Sequence, residues 1–329
     1  MVRWTFFLLY SKSLQIWFRC SHNFLSSLHR IYYKESKSYE KVKERRKRRQ
    51  KRLGKSGFLK IVTFYGLRLT GTSVNWALFN VAQYGLKLFS GPIFSDINPD
   101  GGLLFTNLMI LINNVCFALG FYCSALVVDR KMIGRKRLQL ATFLVAAICF
   151  FIVAATFNTA STGAILFLYN FATFLMSLGP NNTTKVMAAE TYPTELRGTC
   201  YGFSAFVGKA GALGGTLAFG FIDTITTFYI CGACFLLSAI VTFLFSVDLT
   251  AVSLAEHDAQ LEMFLSGQVD KYKGILNERN HLSWVEIWTG KHGGYDENWA
   301  NKLLEEADLL ARTGAGDCER SANSSSGSR

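Results

Sequence analysis

The stretch GPNNTTKVMAAETYPTELRG (Gly179–Gly198) joins two long apolar segments and decides the fold class of this chain. Pro180 lacks a backbone donor, so it interrupts the end of the preceding helix, and neighbouring Asn and Thr side chains can satisfy the freed backbone groups. Glu190 and Arg197 then frame a short polar turn. A break of this kind between apolar segments predicts two membrane-spanning helices joined by a polar connection.

The composition supports a membrane protein with several spans. Half of the 329 residues are hydrophobic, 14% are aromatic and the mean hydropathy is +0.21, values that are too apolar for an ordinary soluble domain. Reading for runs of about 18 or more mainly apolar residues predicts an all-α fold of six transmembrane helices. The predicted spans are Leu69–Ser90, Leu103–Val128, Leu138–Phe157, Gly163–Met187, Cys200–Ile222 and Phe228–Val247.

The charge distribution predicts the orientation of these spans. The run KVKERRKRRQKRLGK (Lys41–Lys55) could suggest a nucleic-acid or lipid-headgroup patch, but its place before the first span favours a cytoplasmic flank. The joint Gly91–Gly102 contains no base, whereas the next joint, DRKMIGRKR (Asp129–Arg137), is strongly basic. This alternation predicts that both ends of the six-helix domain are cytoplasmic and that nucleic acid is not a partner.

The pattern of charge and hydropathy divides the chain into four regions. Residues 1–40 receive no assignment, residues 41–68 are a basic cytoplasmic segment, residues 69–247 are the six-helix transmembrane domain, and residues 248–329 are a cytoplasmic tail. The tail is expected to hold a short amphipathic helix at Glu297–Arg312 and a disordered Ser/Gly terminus. The pair Cys231 and Cys234 has no neighbouring His or second pair, so no metal, redox site or cofactor is predicted.

Polar residues in three predicted spans are candidates for a binding face. Trp76, Asn80 and Tyr84 are four residues apart and therefore share one face of the first span, where they could line a pore or simply join two helices. Lys209 lies in the middle of the fifth span, where a lysine costs about 2.5–3.5 kcal/mol. Because the central parts of the spans contain no acid, Lys209 must use neutral groups, a substrate anion or an acid from elsewhere. Asn181, beside the Pro180 break, can offer an amide to a cavity or repair the backbone.

Charged joints at the predicted cytoplasmic side form a second candidate group. Asp129 can pair with Arg135 or Lys136, and Glu190 can pair with Arg197, so that the two joints would hold one closed arrangement. The simpler interpretation, that these charges only set topology and solvation, explains the bases better than it explains the acids.

Together these residues resemble the C-terminal half of a major facilitator superfamily transporter. The superfamily's D-R-x-G-R-[RK] loop is similar to Asp129, Gly134, Arg135 and Lys136, with two extra residues, and its E-x-x-P-T-x-x-R turn is similar to the set Glu190, Pro193, Thr194 and Arg197. Sugar porters share both motifs, so they identify only the superfamily.

More narrowly, the chain resembles proton-coupled inorganic phosphate symporters, on the residues GPNNTT, Gly71–Phe89 and Phe203–Gly215. The resemblance implies a substrate face of Trp76, Tyr84, Asn181 and Lys209, with Asn80 at a position where the family has an aspartate. Lys185 likewise stands where the family has an apolar residue.

The resemblance implies a plasma-membrane transporter that makes and breaks no covalent bond and moves phosphate with protons. It also implies a complementary N-terminal half, since such transporters consist of two six-helix halves. Two alternatives stay open: a transporter of sugar or another organic solute, and a half-length membrane subunit that does not itself transport.

Overall fold

The computed structural model of the chain describes residues 37–130, 133–250, 252, 254–268, 271–290 and 294–302. The chain divides into two compact units, residues 1–54 and 55–329, and the described residues of the first unit are helical. Of the predicted amphipathic tail helix, residues 297–302 are described and are helical. The unassigned segment before residue 37 and the Ser/Gly terminus lie outside the described residues.

Within the described residues the architecture is all-α. The α-helices, in chain order, are α1 (Lys37–Leu88), α2 (Ser90–Ile97), α3 (Gly102–Val127), α4 (Arg135–Thr156), α5 (Thr162–Leu178), α6 (Pro180–Glu190), α7 (Thr194–Phe219), α8 (Thr224–Phe245), α9 (Leu254–Leu265) and α10 (Trp284–Trp288).

Four helical segments are long and apolar enough to cross a membrane: Pro99–Val127, Arg135–Thr156, Thr162–Glu190 and Thr224–Phe245. They correspond to the second, third, fourth and sixth predicted spans. The first and fifth predicted spans are helical up to Leu88 in α1 and Phe219 in α7, but they do not reach the same apolar content. These two helices carry the polar stripe and Lys209, which explains their lower hydropathy.

The core lies where α4 packs against α5 and α8. Large aromatic side chains fill this region, and Phe150 occupies its centre, with its ring centroid 5.5 Å from that of Phe235 and 6.1 Å from that of Phe228. Tyr169 and Phe143 are also almost completely buried. Aromatic rings of this size provide extensive apolar contact, so these three helices form the hydrophobic core of the bundle.

The predicted break before α6 is confirmed. Gly179 has φ −110° and ψ −85°, outside the helical region, and Pro180 is the first residue of α6. The Thr183 hydroxyl donates a hydrogen bond of 3.0 Å to the Gly179 carbonyl, as expected for polar side chains near a proline break. The fourth predicted span therefore consists of two helices, α5 and α6, which are separated by the non-helical residue Gly179.

Glycines bring α7 against α1. A Cβ atom added at Gly211 would lie 2.8 Å from the Ala77 Cα, and one added at Gly215 would lie 2.8 Å from the Val81 Cα. No real Cβ tolerates such distances to backbone, so both positions require glycine for this approach. The close contact brings the polar stripe of α1 directly opposite α7.

Substituting Gly215 tests this packing. Gly215→Ala is expected to lower the melting temperature of the detergent-purified protein, because overpacking against the α1 backbone costs about 1–3 kcal/mol. Gly214→Ala is the matched control, since no atom lies within 4 Å of its added Cβ. Equal melting temperatures for the two variants would contradict the close approach of α1 and α7.

The segment after α8 folds against the middle of α1 and the start of α7. Arg68 of α1 forms a buried ion pair with Glu286 of α10, with 2.7 Å between Nε and Oε1. Asp258 of α9 accepts hydrogen bonds from the backbone N–H and the hydroxyl of Thr194, at 2.8 and 2.9 Å. This part of the predicted tail is thus an ordered cover on one end of the bundle.

A buried histidine in this cover predicts sensitivity to acid. His257 is 2% exposed, and burial, together with the charges of Arg68 and Arg197, lowers its pKa to about 3. Below the ordinary pKa of about 6.5, the unfolded chain binds a proton that the folded chain excludes, so the free energy of unfolding falls as the pH falls. Between pH 6.5 and pH 5 this loss amounts to about 2 kcal/mol.

Melting temperatures measured between pH 7.5 and pH 5 check this expectation. The His257→Gln variant should lose less stability over that range than the unsubstituted protein. His281→Gln is the control, because it also removes an imidazole from the same cover. Parallel pH profiles for all three proteins would show that His257 does not carry the acid sensitivity.

Candidate functional site

The first two residues of the stripe in α1 face α7 at Gly208. Trp76 is buried, its ring packs edge-on against Tyr201 with 5.3 Å between centroids, and a Cβ at Gly208 would lie 2.7 Å from its Cδ1. The Asn80 amide is also buried and donates a 2.8 Å hydrogen bond to the Gly208 carbonyl. Asn80 therefore uses its donor to join two helices, one of the two roles that its sequence position allowed.

The third stripe residue meets the lysine of α7. Tyr84 is 40% exposed, and its hydroxyl lies 3.4 Å from the Lys209 Nζ. The same Nζ lies 5.5 Å from the centroid of the Tyr84 ring. Among the described residues Lys209 forms no ion pair with a carboxylate, so its charge is held beside a neutral phenol on an exposed face. Such a lysine can still attract an anion.

Asn181 connects two further polar side chains, Lys185 and Gln83, next to this pair. Its Oδ1 accepts a hydrogen bond of 2.9 Å from the Lys185 Nζ, one turn later in α6, and a longer one of 3.5 Å from the Gln83 Nε2. Gln83 precedes Tyr84 in α1, so the two groups adjoin. The structure thus brings Tyr84, Asn181 and Lys209 to one polar face, while Trp76 and Asn80 pack into the α1–α7 contact beside it.

Gln83 and Lys185 are polar residues of this face that the stripe pattern did not identify. Gln83 is one position off the four-residue repeat, so periodicity alone assigns it to a neighbouring face. Lys185 stands out in the sequence because it is a charged residue inside a predicted span. It follows Asn181 by four residues, the i, i+4 spacing at which side chains on one helix face meet.

The charged joints converge on Arg135. Its guanidinium binds Asp129, with 3.0 Å between Nη2 and Oδ1, and it also forms an ion pair with Glu190 at the end of α6. The predicted pairing of Glu190 with Arg197 is wrong, because Glu190 pairs with Arg135 instead. α4 packs against α6, which brings Arg135 to Glu190, and one guanidinium can hold two carboxylates.

The remaining motif residues shape the same end of the bundle. Gly134 has φ +67°, a conformation that favours glycine, and it allows α4 to begin at Arg135. Lys136 lines a cavity of about 690 Å³ together with Trp284. Pro193 directly precedes α7, where its fixed φ suits the helix start, and Arg197 lies in the first turn of that helix close to His257.

Residues 30–261 match the profile of the family described as "Sugar (and other) transporter". Among curated proteins, an inorganic phosphate transporter of Saccharomyces cerevisiae is 35% identical over 163 residues, which are 47% of this chain and 27% of that protein. Inorganic phosphate transporter 1-1 of Arabidopsis thaliana is 33% identical over 172 residues, 48% of this chain and 32% of that protein. Low affinity inorganic phosphate transporter 8 of Medicago truncatula is 29% identical over 188 residues, 47% of this chain and 32% of that protein. The matched part of the chain therefore covers 27–32% of the length of these relatives.

Proposed function

Because the chain belongs to the sugar (and other) transporter family, within the major facilitator superfamily, we propose that it forms the C-terminal six-helix half of a transporter for inorganic phosphate. The observation that supports phosphate as the substrate is the position of Lys209. This cation has no ion-pair partner among the described residues and lies beside Tyr84 on an exposed polar face. The names of the three relatives, each a phosphate transporter, support the same substrate.

We propose six spans, although only four helical segments of the described chain are both long and apolar enough to cross a membrane by length and composition. The 26 residues of α7 extend about 39 Å, enough to cross a bilayer, and the glycine contacts pack this helix against α1. Helices that line a substrate path are expected to be less apolar than helices that face lipid, which accounts for the polar character of α1 and α7. Both ends of this domain are proposed to be cytoplasmic, in the plasma membrane.

Transport is proposed to occur by alternating access, with the substrate between this half and an N-terminal half. Trp76, Tyr84, Asn181 and Lys209 are the proposed substrate residues, and Asn80 supports them by fixing α1 to α7. An amide cannot take up and release a proton, so the proposed coupling to protons requires a titratable group other than Asn80. The Arg135 cluster with Asp129 and Glu190 is proposed to hold the cytoplasmic side closed and to separate when the site opens inward.

Uptake of radiolabelled phosphate tests this function. The complete transcript that encodes this chain is expressed in cells that lack phosphate uptake of their own, and uptake is measured with and without a protonophore. We expect saturable uptake that excess glucose does not inhibit and that collapses when the proton gradient is removed. Competition by glucose would instead indicate a sugar transporter, and normal membrane expression without uptake of either solute would indicate a subunit that does not transport.

A further inference from the structure

We propose that Lys185 is a second substrate-binding cation, and that Lys185 and Lys209 together make this face selective for a doubly charged tetrahedral oxyanion. The proposal rests on the proposed function and adds the charge of the substrate to it. Its starting point is the pair of contacts that hold the two ammonium groups, Lys185 to Asn181 at 2.9 Å and Lys209 to Tyr84 at 3.4 Å.

The two lysines belong to one cluster. Gln83 contacts Asn181 at 3.5 Å, and its neighbour Tyr84 contacts Lys209, so two consecutive residues of α1 connect both ammonium groups. The positive charges of Lys209 and Lys87 both act on Lys185. Repulsion between like charges weakens as their separation grows, so an interaction among these lysines is consistent with a shared site.

No carboxylate of these helices compensates this charge. The sequence contains no Asp or Glu between Asp129 and Glu190, or between Glu195 and Asp223. Within the part of the chain that the structure describes, neither Lys185 nor Lys209 takes part in an ion pair. Lysines within spanning helices that have no acid nearby are costly, and a bound anion with two charges would offset both ammonium groups.

The direction of the Lys185 side chain argues against a merely solvated lysine. A lysine near the end of a spanning helix usually extends toward the nearer membrane surface. Lys185 is five positions before Glu190, the last residue of α6, yet its ammonium reaches back to Asn181 in the first turn. It therefore points away from the charged end of α6 and toward the broken start of that helix, where the helix dipole also favours an anion.

The donors available on this face suit an oxyanion. The two ammonium groups supply charge, and the Gln83 amide and Tyr84 hydroxyl can orient further oxygens. The Asn80 amide is already used on the Gly208 carbonyl, so it does not compete for the substrate. A monoanion would leave one of the two charges on Lys185 and Lys209 uncompensated, whereas the phosphate dianion and sulfate both carry two charges.

Competition with sulfate in the uptake assay tests the proposal, since sulfate remains a dianion across the working pH range. For the unsubstituted protein we expect sulfate to inhibit phosphate uptake. In Lys185→Gln we expect the KM for phosphate and the inhibition constant of sulfate to rise at least tenfold, and Lys185→Arg should restore most of both. Lys271→Gln, at an exposed position in the segment after α8, is the matched control and should change neither constant.

The outcomes separate the two proposals. If the unsubstituted protein takes up phosphate but Lys185→Gln, present at normal levels in the membrane, keeps both constants, the two-lysine site is wrong and phosphate transport stands. If sulfate fails to inhibit the unsubstituted protein, selectivity for a dianion is wrong. If the unsubstituted protein takes up no phosphate, the proposed function fails and this inference fails with it.

Discussion

Lys209→Gln is expected to raise the KM for phosphate roughly tenfold to hundredfold. The substitution keeps a hydrogen-bond donor near Tyr84 but removes the charge, and a hydrogen bond to a charged group contributes about 1.5–3 kcal/mol. Because no carboxylate pairs with Lys209 among the described residues, the substitution leaves no acid unpaired there. The expected loss is therefore one of substrate affinity, with normal folding and membrane insertion, and uptake kinetics measure it directly.

Two controls separate charge from packing at this position. Lys209→Arg keeps the charge and should retain more phosphate affinity than Lys209→Gln. Tyr84→Phe removes only the neutral partner of the ammonium, so it should have a smaller effect than loss of the charge. Unchanged phosphate kinetics in Lys209→Gln would refute its role in substrate binding and would favour a neutral solute or a structural lysine.

Local spacing was sufficient to predict the helices and the break. Trp76, Asn80 and Tyr84 lie on one side of α1 because the turn of a helix depends only on residue spacing. The break at Gly179 and Pro180 follows from the missing proline donor. Both features arise within a few residues of chain, so no knowledge of tertiary packing is needed to anticipate them.

Contacts between distant elements could not be predicted in the same way. Asn80 meets the Gly208 carbonyl because glycines let α7 approach α1, and that approach is a property of two helices together. From the sequence, Glu190 could pair with either Arg135 or Arg197. Only the packing of α4 beside α6 selects Arg135. The ion pair between Arg68 and Glu286 joins residues 218 positions apart, and the sequence offers no local signal for it.

Glu286→Gln is expected to cause a large loss of stability. The side chains of Arg68 and Glu286 are 4% and 3% exposed, so removing the acid leaves a buried and unpaired guanidinium. Breaking a buried pair in this way costs about 3–5 kcal/mol, which corresponds to a melting temperature lower by roughly 6–20 °C. Burial alone would raise the pKa of Glu286, but Arg68 outweighs that effect and holds the pKa below its usual value. The stabilisation is therefore present at neutral pH and is lost as the pH falls through that pKa.

Two further variants identify the unpaired charge as the cause. Glu286 also completes the capping box of α10, accepting from the Ser283 backbone N–H at 3.0 Å and its hydroxyl at 2.9 Å. Ser283→Ala removes the cap but keeps the ion pair, so it should cost only about 0.5–2 kcal/mol. The double variant Arg68→Met with Glu286→Gln should be more stable than Glu286→Gln alone, because no charge remains buried. If the double variant is instead the less stable protein, the loss comes from packing and capping, and the cover over the middle of α1 and the start of α7 does not depend on this ion pair.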